Sequence, residues 1–226
     1  MIHLAIIPDG NRRWARKNGK SLEEGHLVGI NKLKDICYWV KDLGVKVLSL
    51  WIFSSENATR SQNEVNYLMK LFRDKIMNID KEKLTEDVKV RFAGDKSILS
   101  KDIVKRIEEI EKKTKDNKKL QLIILFGYGG RKEIVDAVNK IIKDVKNGEI
   151  DKVDEEAFRR YLYIPDIPDP DLIIRTSGEK RLSGIYPWQS TYSEIYFCPR
   201  LWPEFEKKDL IRVMEEYKNR ERRFGR

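Results

Sequence analysis

The chain has 226 residues, with 46 Lys and Arg against 37 Asp and Glu, a formal charge of +9 and 40% hydrophobic residues. That length supports one domain with a good core, and the charge points to an anionic partner: nucleic acid, a membrane surface or a phosphorylated substrate. The two cysteines, Cys37 and Cys198, are far apart and in no CxxC pattern, which argues against a zinc site or a disulfide framework and for a reducing setting. The apolar runs fall far short of the ~20 residues needed to span a bilayer.

In chain order, short apolar runs alternate with amphipathic stretches. His3–Ile7 is the length of a buried strand, and Pro8 cannot extend a central ladder, so the strand is expected to stop there. Asp9-Gly10-Asn11 is turn chemistry, followed by Arg12, Arg13, Arg16, Lys17 and Lys20. Two readings fit: a surface turn opening a basic helix, or an acid and guanidinium groups at a strand's carboxyl end, able to hold a metal ion and a phosphate. His26 follows Gly25 near a helix start and reads as a cap-region residue or as a phosphate donor. Val28, Leu33, Ile36, Val40 and Leu43 share one helical face, and Val45–Phe53 is the second strand. "FSSENATRSQNEV" then supplies two hydroxyls, an acid, an amide and a cation. Ser61 or Asn63 can cap the following helix, whose apolar face is Val65, Leu68, Met69, Phe72 and Ile76.

Val88–Ala93 is the third strand, and Ile103, Ile107 and Ile110 mark another helix, with Glu111–Lys119 as its solvated end. Leu120–Phe126 is the fourth strand. In the "FGYGGRKEI" that follows, Gly129-Gly130 permits positive φ and close approach to a ligand, or a tight strand–helix turn. Pro165–Asp171 is a rigid loop entering a fifth strand, Leu172–Ile174, and Glu194–Phe197 is the sixth. Between these two lie Arg175, Lys180, Arg181 and Ser183. Two arginines and a hydroxyl make a credible diphosphate clamp, because a guanidinium holds phosphate in a bidentate fork. Glu194 is either a second carboxylate for a Mg²⁺ site shared with Asp9 or an ordinary strand-end acid.

This alternation predicts a single α/β domain over residues 1–226, with a central, mostly parallel six-stranded sheet flanked by helices. Ligands of open α/β sheets bind outside the carboxyl ends of the strands. That rule gathers Asp9, Ser54–Arg60, Gly127–Arg131 and Arg175–Glu179 on one rim. The P-loop pattern is missing, no GxGxxG follows the first strand, and no RRM, KH or helix-turn-helix signature accompanies the basic charge.

Taken together, "DGNRRWA" (9–15), "GHLVG" (25–29), "FSSENATR" (53–60), "GYGGRKEI" (127–134), "DLIIRTSGEKRLS" (171–183), "WQSTYSEIYF" (188–197), "WPEF" (202–205) and "NRERRFG" (219–225) resemble the cis-prenyltransferases, whose best-known members are the undecaprenyl diphosphate synthases. The segments come in that family's order and cover nearly the whole chain. The resemblance implies a homodimer with a hydrophobic product tunnel. It implies a Mg²⁺-dependent transferase that adds isopentenyl diphosphate to an allylic diphosphate, each new double bond cis.

By resemblance, Asp9 coordinates Mg²⁺ with Glu194 as a second ligand, and Asn57 helps remove the proton. Gly10, Asn11, Arg12, Arg13 and Trp14 lie at the allylic diphosphate, with His26, Ser54, Ser55, Glu56 and Arg60 near the same substrate. Arg175, Arg181, Leu182 and Ser183 match the isopentenyl diphosphate clamp, and Arg223 and Gly225 match an element reaching toward the neighbouring subunit. Leu22, Ala58, Gly127 and Pro187 depart from the family's usual residues. A non-catalytic partner subunit of such an enzyme is the alternative, against which the retention of Asp9 and of the Arg175–Ser183 set argues. No secretory leader opens the chain, so a cytoplasmic setting is expected, with room for peripheral membrane contact during product release. Bulk at Ile52, Leu125 and Phe126 predicts a product of short to medium length, at or below the undecaprenyl range.

Overall fold

Each apolar run becomes a strand: β1 His3–Ile7, β2 Val47–Ser54, β3 Val88–Ala93, β4 Leu120–Tyr128, β5 Leu172–Arg175 and β6 Glu194–Phe197. The structure, a computed structural model, describes residues 1–55 and 61–220. The strands form one six-stranded sheet in the order β3-β4-β2-β1-β5-β6. Every pairing is parallel, so the sheet is wholly rather than mostly parallel. The order reverses between β1 and β5, and the carboxyl ends of those two strands therefore flank a crevice.

The helices are α1 Asn11–Lys17, α2 Leu22–Asp42, α3 Gln62–Met77, α4 Lys101–Thr114, α5 Gly130–Lys146, α6 Glu155–Arg159 and α7 Lys207–Lys218. Ser21 caps α2 in a reciprocal box with Glu24, Glu24 N donating to Ser21 Oγ at 3.1 Å and Ser21 N to Glu24 Oε2 at 2.9 Å. Ser61, not Asn63, caps α3. Helices α5 and α7 go beyond those expected from apolar spacing. The apolar residues of α5 include Val135, Val138, Ile142 and Val145, all exposed, while α7 buries only Leu210, Val213 and Met214 among its apolar side chains.

The sheet separates two cores. Leu48, Leu50, Leu122 and Ile124 face α2, α3 and α4, where Ile36, Phe72 and Ile107 are buried. Val47, Trp51, Ile123 and Leu125 face the opposite way, toward Ile167, Ile185 and Tyr186. Leu125 and Phe126 thus belong to different faces, as period-two alternation requires. Gly127, at φ +64°, interrupts that alternation, and Tyr128 joins the second core.

The second core contains polar groups. His3 is 2% exposed. Its Nδ1 lies 2.7 Å from the Pro168 carbonyl and its Nε2 2.8 Å from Ser49 Oγ, which lies 2.9 Å from Tyr186 Oη. Burial pushes the His3 imidazole down to a pKa of about 4, against about 6.5 in an unfolded chain. Between these values the unfolded chain holds the extra proton, so His3's linked stability is full above about pH 6.5 and is lost as pH falls toward 4. The expected loss is about 3 kcal/mol. Urea unfolding at pH 7 and pH 4.5 should show a smaller acid loss in His3→Gln than in the wild type; equal slopes would contradict a buried neutral His3.

Candidate active site

Pro8 ends β1 and Asp9 follows at the rim, with its backbone fixed from three sides. Asp9 N donates to the Ile7 carbonyl at 2.9 Å, and the Asp9 carbonyl accepts from Thr176 Oγ1 at 2.6 Å and Trp202 N at 3.0 Å. Gly10 then turns the chain at φ +113°, where a Cβ would lie 3.0 Å from Leu201 Cα. Only glycine meets both conditions without strain.

Arg175, the last residue of β5, is 5% exposed and directs its guanidinium across the crevice. Its Nη2 donates to Asp9 Oδ2 at 2.8 Å, and its Nη1 donates to Ser183 Oγ and to the Arg181 carbonyl, each at 2.7 Å. Arg13 approaches Asp9 from α1, its Nη2 3.8 Å from Asp9 Oδ2. The same guanidinium donates to the Ser177 carbonyl at 3.0 Å and to Ser177 Oγ at 2.5 Å. Glu179 lies 3.1 Å from Arg13 and also pairs with Arg181. Ser177 and Ser183 adopt φ +80° and +53°, a region that L side chains occupy rarely and that clusters at ligand-binding segments.

These groups line a cleft of about 640 Å³. Arg12, Arg13, Arg16, Arg175 and Arg181 contribute five cations, and Asp9 is the only acid in the lining among the described residues. The hydroxyls of Ser54 and Ser183 and the imidazole of His26 add donors. The excess of fork-shaped cations suits a compact polyanion.

His26 is within α2, one turn past the cap, and is 8% exposed. The cap-region reading therefore gives way to a residue of the cleft wall. Its Nε2 lies 3.2 Å from Glu64 Oε1 on α3, and Arg12 Nε lies 3.9 Å from the same oxygen. The glycines flanking His26 have a packing role. A Cβ on Gly25 would lie 2.6 Å from the Asn11 carbonyl oxygen, and one on Gly29 2.2 Å from Asn11 Oδ1. The "GHLVG" spacing thus makes a small-residue face on which α1 seats.

Several expectations are corrected. Glu194 opens β6 and registers with Leu172 and, through it, Leu4, whereas Asp9 follows the end of β1. In a parallel sheet this puts Glu194 at the opposite edge, roughly 15 Å away along the strands. The two carboxylates cannot share a metal within one chain, and Glu194 pairs with Arg220 at 2.5 Å. Leu182 packs against the second core rather than into the cleft. Trp14 and Ser55 are half-buried, and neither lines the cleft. The glycine pair is a packed turn and has no positive φ: Gly130 N donates to the Gly184 carbonyl at 2.9 Å, and a Gly130 Cβ would lie 2.0 Å from Pro187 Cδ. Glu56, Asn57, Arg60, Arg223 and Gly225 lie outside the described residues. Glu64 is the neighbour of the site that sequence reasoning missed, because it looks like an ordinary helix residue. Arg16 stood in the basic run after Asp9, and Thr176 and Glu179 stood on the expected rim, but none of the three carried an assigned role.

The cleft opens onto apolar space. Ile52 and Leu68 line both the cleft and a cavity of about 60 Å³ between α2, α3 and the sheet. Ile52 and Phe72 continue into a second cavity of about 60 Å³. Phe72, Phe126 and Phe53 stack across the first, with centroids 3.6 and 5.1 Å apart.

A parallel α/β sheet with a guanidinium-lined crevice at its switch point, opening onto apolar cavities, defines a binder of amphiphilic phosphates. The family described as "Putative undecaprenyl diphosphate synthase" matches residues 7–225, and the chain belongs to this family of cis-prenyltransferases. An isoprenyl transferase of Thermotoga maritima is 50% identical, covering 99% of this chain and 96% of the relative. A tritrans,polycis-undecaprenyl-diphosphate synthase (geranylgeranyl-diphosphate specific) of Pyrococcus horikoshii is 46% identical over 99% of this chain and 86% of the relative. The crystal structure of lavandulyl diphosphate synthase from Lavandula x intermedia, in complex with dimethylallyl diphosphate, superposes with a TM-score of 0.94 at 37% identity, covering 99% of this chain and 98% of that one.

Proposed function

We propose that this chain condenses isopentenyl diphosphate with an allylic diphosphate to give a cis-polyprenyl diphosphate, with Mg²⁺ as cofactor. The observation that carries the reading is Asp9 held between Arg175 and Arg13 in a cationic cleft continuous with apolar cavities. That layout separates a diphosphate head from a hydrocarbon tail. Arg175, Arg181 and Ser183 take the isopentenyl diphosphate, while Arg12, Arg13 and His26 take the allylic diphosphate. Negative charge builds on the departing diphosphate, and fixed cations at that place stabilise the transition state. Asn57, with Glu56 and Arg60 beside it in sequence, serves proton removal and allylic binding in this reading.

Asp9, 31% exposed, fits a Mg²⁺ shared with substrate. Magnesium is commonly bound by one or two carboxylates together with substrate phosphates and water, and among the described residues no cluster of acids or histidines forms a protein cage. When bound there, Mg²⁺ would supply Lewis-acid neutralisation of phosphate oxygens. Asp9 would hold it, and Arg13 and Arg175 keep the carboxylate aimed into the cleft.

The chain is read as a homodimer. Val135, Val138, Ile142 and Val145, 41 to 57% exposed, recur at helical spacing on α5 and suit a second copy of the same face. Arg223 and Gly225 would then reach the neighbouring site. No described helix is long and apolar enough to cross a membrane; work from the cytoplasm, with peripheral contact at product release, completes the reading.

An isopentenyl diphosphate incorporation assay tests this function. Turnover with Mg²⁺ should vanish with EDTA, and Asp9→Ala should lower the rate by several orders of magnitude while remaining folded. Retention of more than about a tenth of the wild-type rate would remove Asp9 from its role. In sedimentation, the wild type should run as a dimer, and Val138→Glu combined with Ile142→Glu should shift it to a monomer.

The growing tail is read as following the α2–α3 seam past Ile52 toward the Phe53–Phe126–Phe72 stack, since extra wall bulk cannot be absorbed freely in close-packed protein. Products made with farnesyl diphosphate and read by mass spectrometry should be short to medium, at or below the undecaprenyl range. Ile52→Ala should lengthen them. Leu125→Val, on the opposite face, should not.

A further inference from the structure

The segment carrying Arg181 and Ser183 is anchored from beneath the sheet. Ser183 and Tyr186 are both in the left-handed region, at φ +53° and +49°, where an L side chain is disfavoured. A turn with two such residues three positions apart needs support from its surroundings. Part of that support is backbone: the Gly184 carbonyl accepts from Gly130 N at 2.9 Å, and Ser190 N donates to the Tyr186 carbonyl at 2.8 Å. The rest comes from the Tyr186 side chain, which is 5% exposed and reaches down the second face of the sheet. Its ring lies edge-on to Tyr128 at 5.5 Å and to His3 at 6.1 Å.

The hydroxyl of Tyr186 ends a chain of hydrogen bonds with only one consistent direction. The Pro168 carbonyl can only accept, so His3 Nδ1, 2.7 Å away, carries the proton. Burial keeps His3 neutral, so its Nε2 is an acceptor, and Ser49 Oγ at 2.8 Å must donate to it. Having used its proton there, Ser49 accepts from Tyr186 Oη at 2.9 Å. Every polar atom in the line has a fixed role, from the start of β1 through β2 to the turn below the cleft. At the other end of that turn, Ser183 Oγ and the Arg181 carbonyl each accept from Arg175 Nη1 at 2.7 Å.

We propose that Tyr186, Ser49 and His3 form a positioning relay that holds the Arg181–Ser183 turn in its strained conformation and so preorganises the isopentenyl diphosphate clamp. The proposal rests on the reading of Arg175, Arg181 and Ser183 as that clamp. None of the three touches substrate. They act through the turn, so their loss should weaken one substrate selectively rather than slow the chemistry.

Tyr186→Phe removes the hydroxyl and keeps the ring. Steady-state kinetics should show KM for isopentenyl diphosphate raised roughly fivefold, equivalent to about 1 kcal/mol, with kcat and the allylic KM within about twofold of wild type. Ser49→Ala should give the same rise, and Ser49→Thr, which retains a hydroxyl, should restore most of it. The Ser49→Ala/Tyr186→Phe double variant should be no worse than either single one, because both cut the same line. A purely structural role would lower the melting temperature and the active fraction with KM unchanged, and that outcome would overturn the relay, as would additive effects in the double variant. If Tyr186→Phe does not fold, the Ser49→Ala and Ser49→Thr pair decides by the same KM comparison. Absence of any incorporation by the wild type would instead defeat the proposed reaction. Calorimetry of inorganic pyrophosphate binding to the wild type and to Tyr186→Phe still judges the relay in that case: several-fold weaker binding supports it, and equal binding refutes it.

Discussion

The contact on which the site depends is the ion pair between Asp9 and Arg175, 2.8 Å long, across the gap between the carboxyl ends of β1 and β5. A nearly buried guanidinium is costly unless its charge is matched and its donors are used. Arg175 meets most of that demand through its two Nη groups, with one acid and two oxygen acceptors from the 181–183 turn, while its buried Nε has no hydrogen-bond partner among the described residues. One side chain therefore sets three things at once: the direction of the Asp9 carboxylate, 166 residues away in sequence, the place of Ser183, and the closeness of the loops that carry them. The Thr176 hydroxyl repeats the connection, donating to the Ile7 and Asp9 carbonyls.

The sheet gives its two faces different work. Toward α2 and α3 it is apolar, with small cavities that continue the cleft. A hydrocarbon tail gains from such a surface in proportion to the area it removes from water. Toward the 160–190 segment the sheet carries a buried polar system. Glu133, 2% exposed, accepts from Tyr128 Oη at 2.6 Å, Tyr163 N at 2.9 Å and Gln189 Nε2 at 3.1 Å. Burial, and then the neighbouring Glu133 carboxylate, hold the Tyr128 hydroxyl well above its ordinary pKa, which keeps it a donor. Buried polar groups satisfied in this way specify one arrangement of the chain. The apolar wall that continues the cleft and the buried polar system thus lie on opposite sides of one layer.

Close approach is the other constraint. Helix α1 brings Arg12, Arg13 and Arg16 to the cleft only because it can seat on Gly25 and Gly29 of α2. Trp202 completes that seat, its Nε1 donating to the Gly29 carbonyl at 2.8 Å and its own backbone N–H to Asp9. The "GHLVG" and "WPEF" segments thus act through the placement of the arginines.

Much was legible in the sequence because local rules settle it. The strands β1, β3 and β6 match the apolar runs residue for residue, the Pro8 stop holds, and the helical faces of α2, α3 and α4 follow from spacing alone. The rim residues could be gathered in advance, since all carboxyl ends of a parallel sheet lie on one edge. The same rule, applied to Glu194, would have separated it from Asp9: it opens its strand where Asp9 follows one. What tertiary structure alone decided is what depends on strand order and on contacts between distant segments. Strand order made β1 and β5 neighbours and so joined Asp9 to Arg175. Contacts between distant segments turned Gly25, Gly29 and Gly130 into packing surfaces and carried His3 and Ser49 beneath the turn that holds Tyr186. Propensity and periodicity act within a few residues, whereas these pairings cross the chain, and no local pattern encodes which distant partner will satisfy a buried charge.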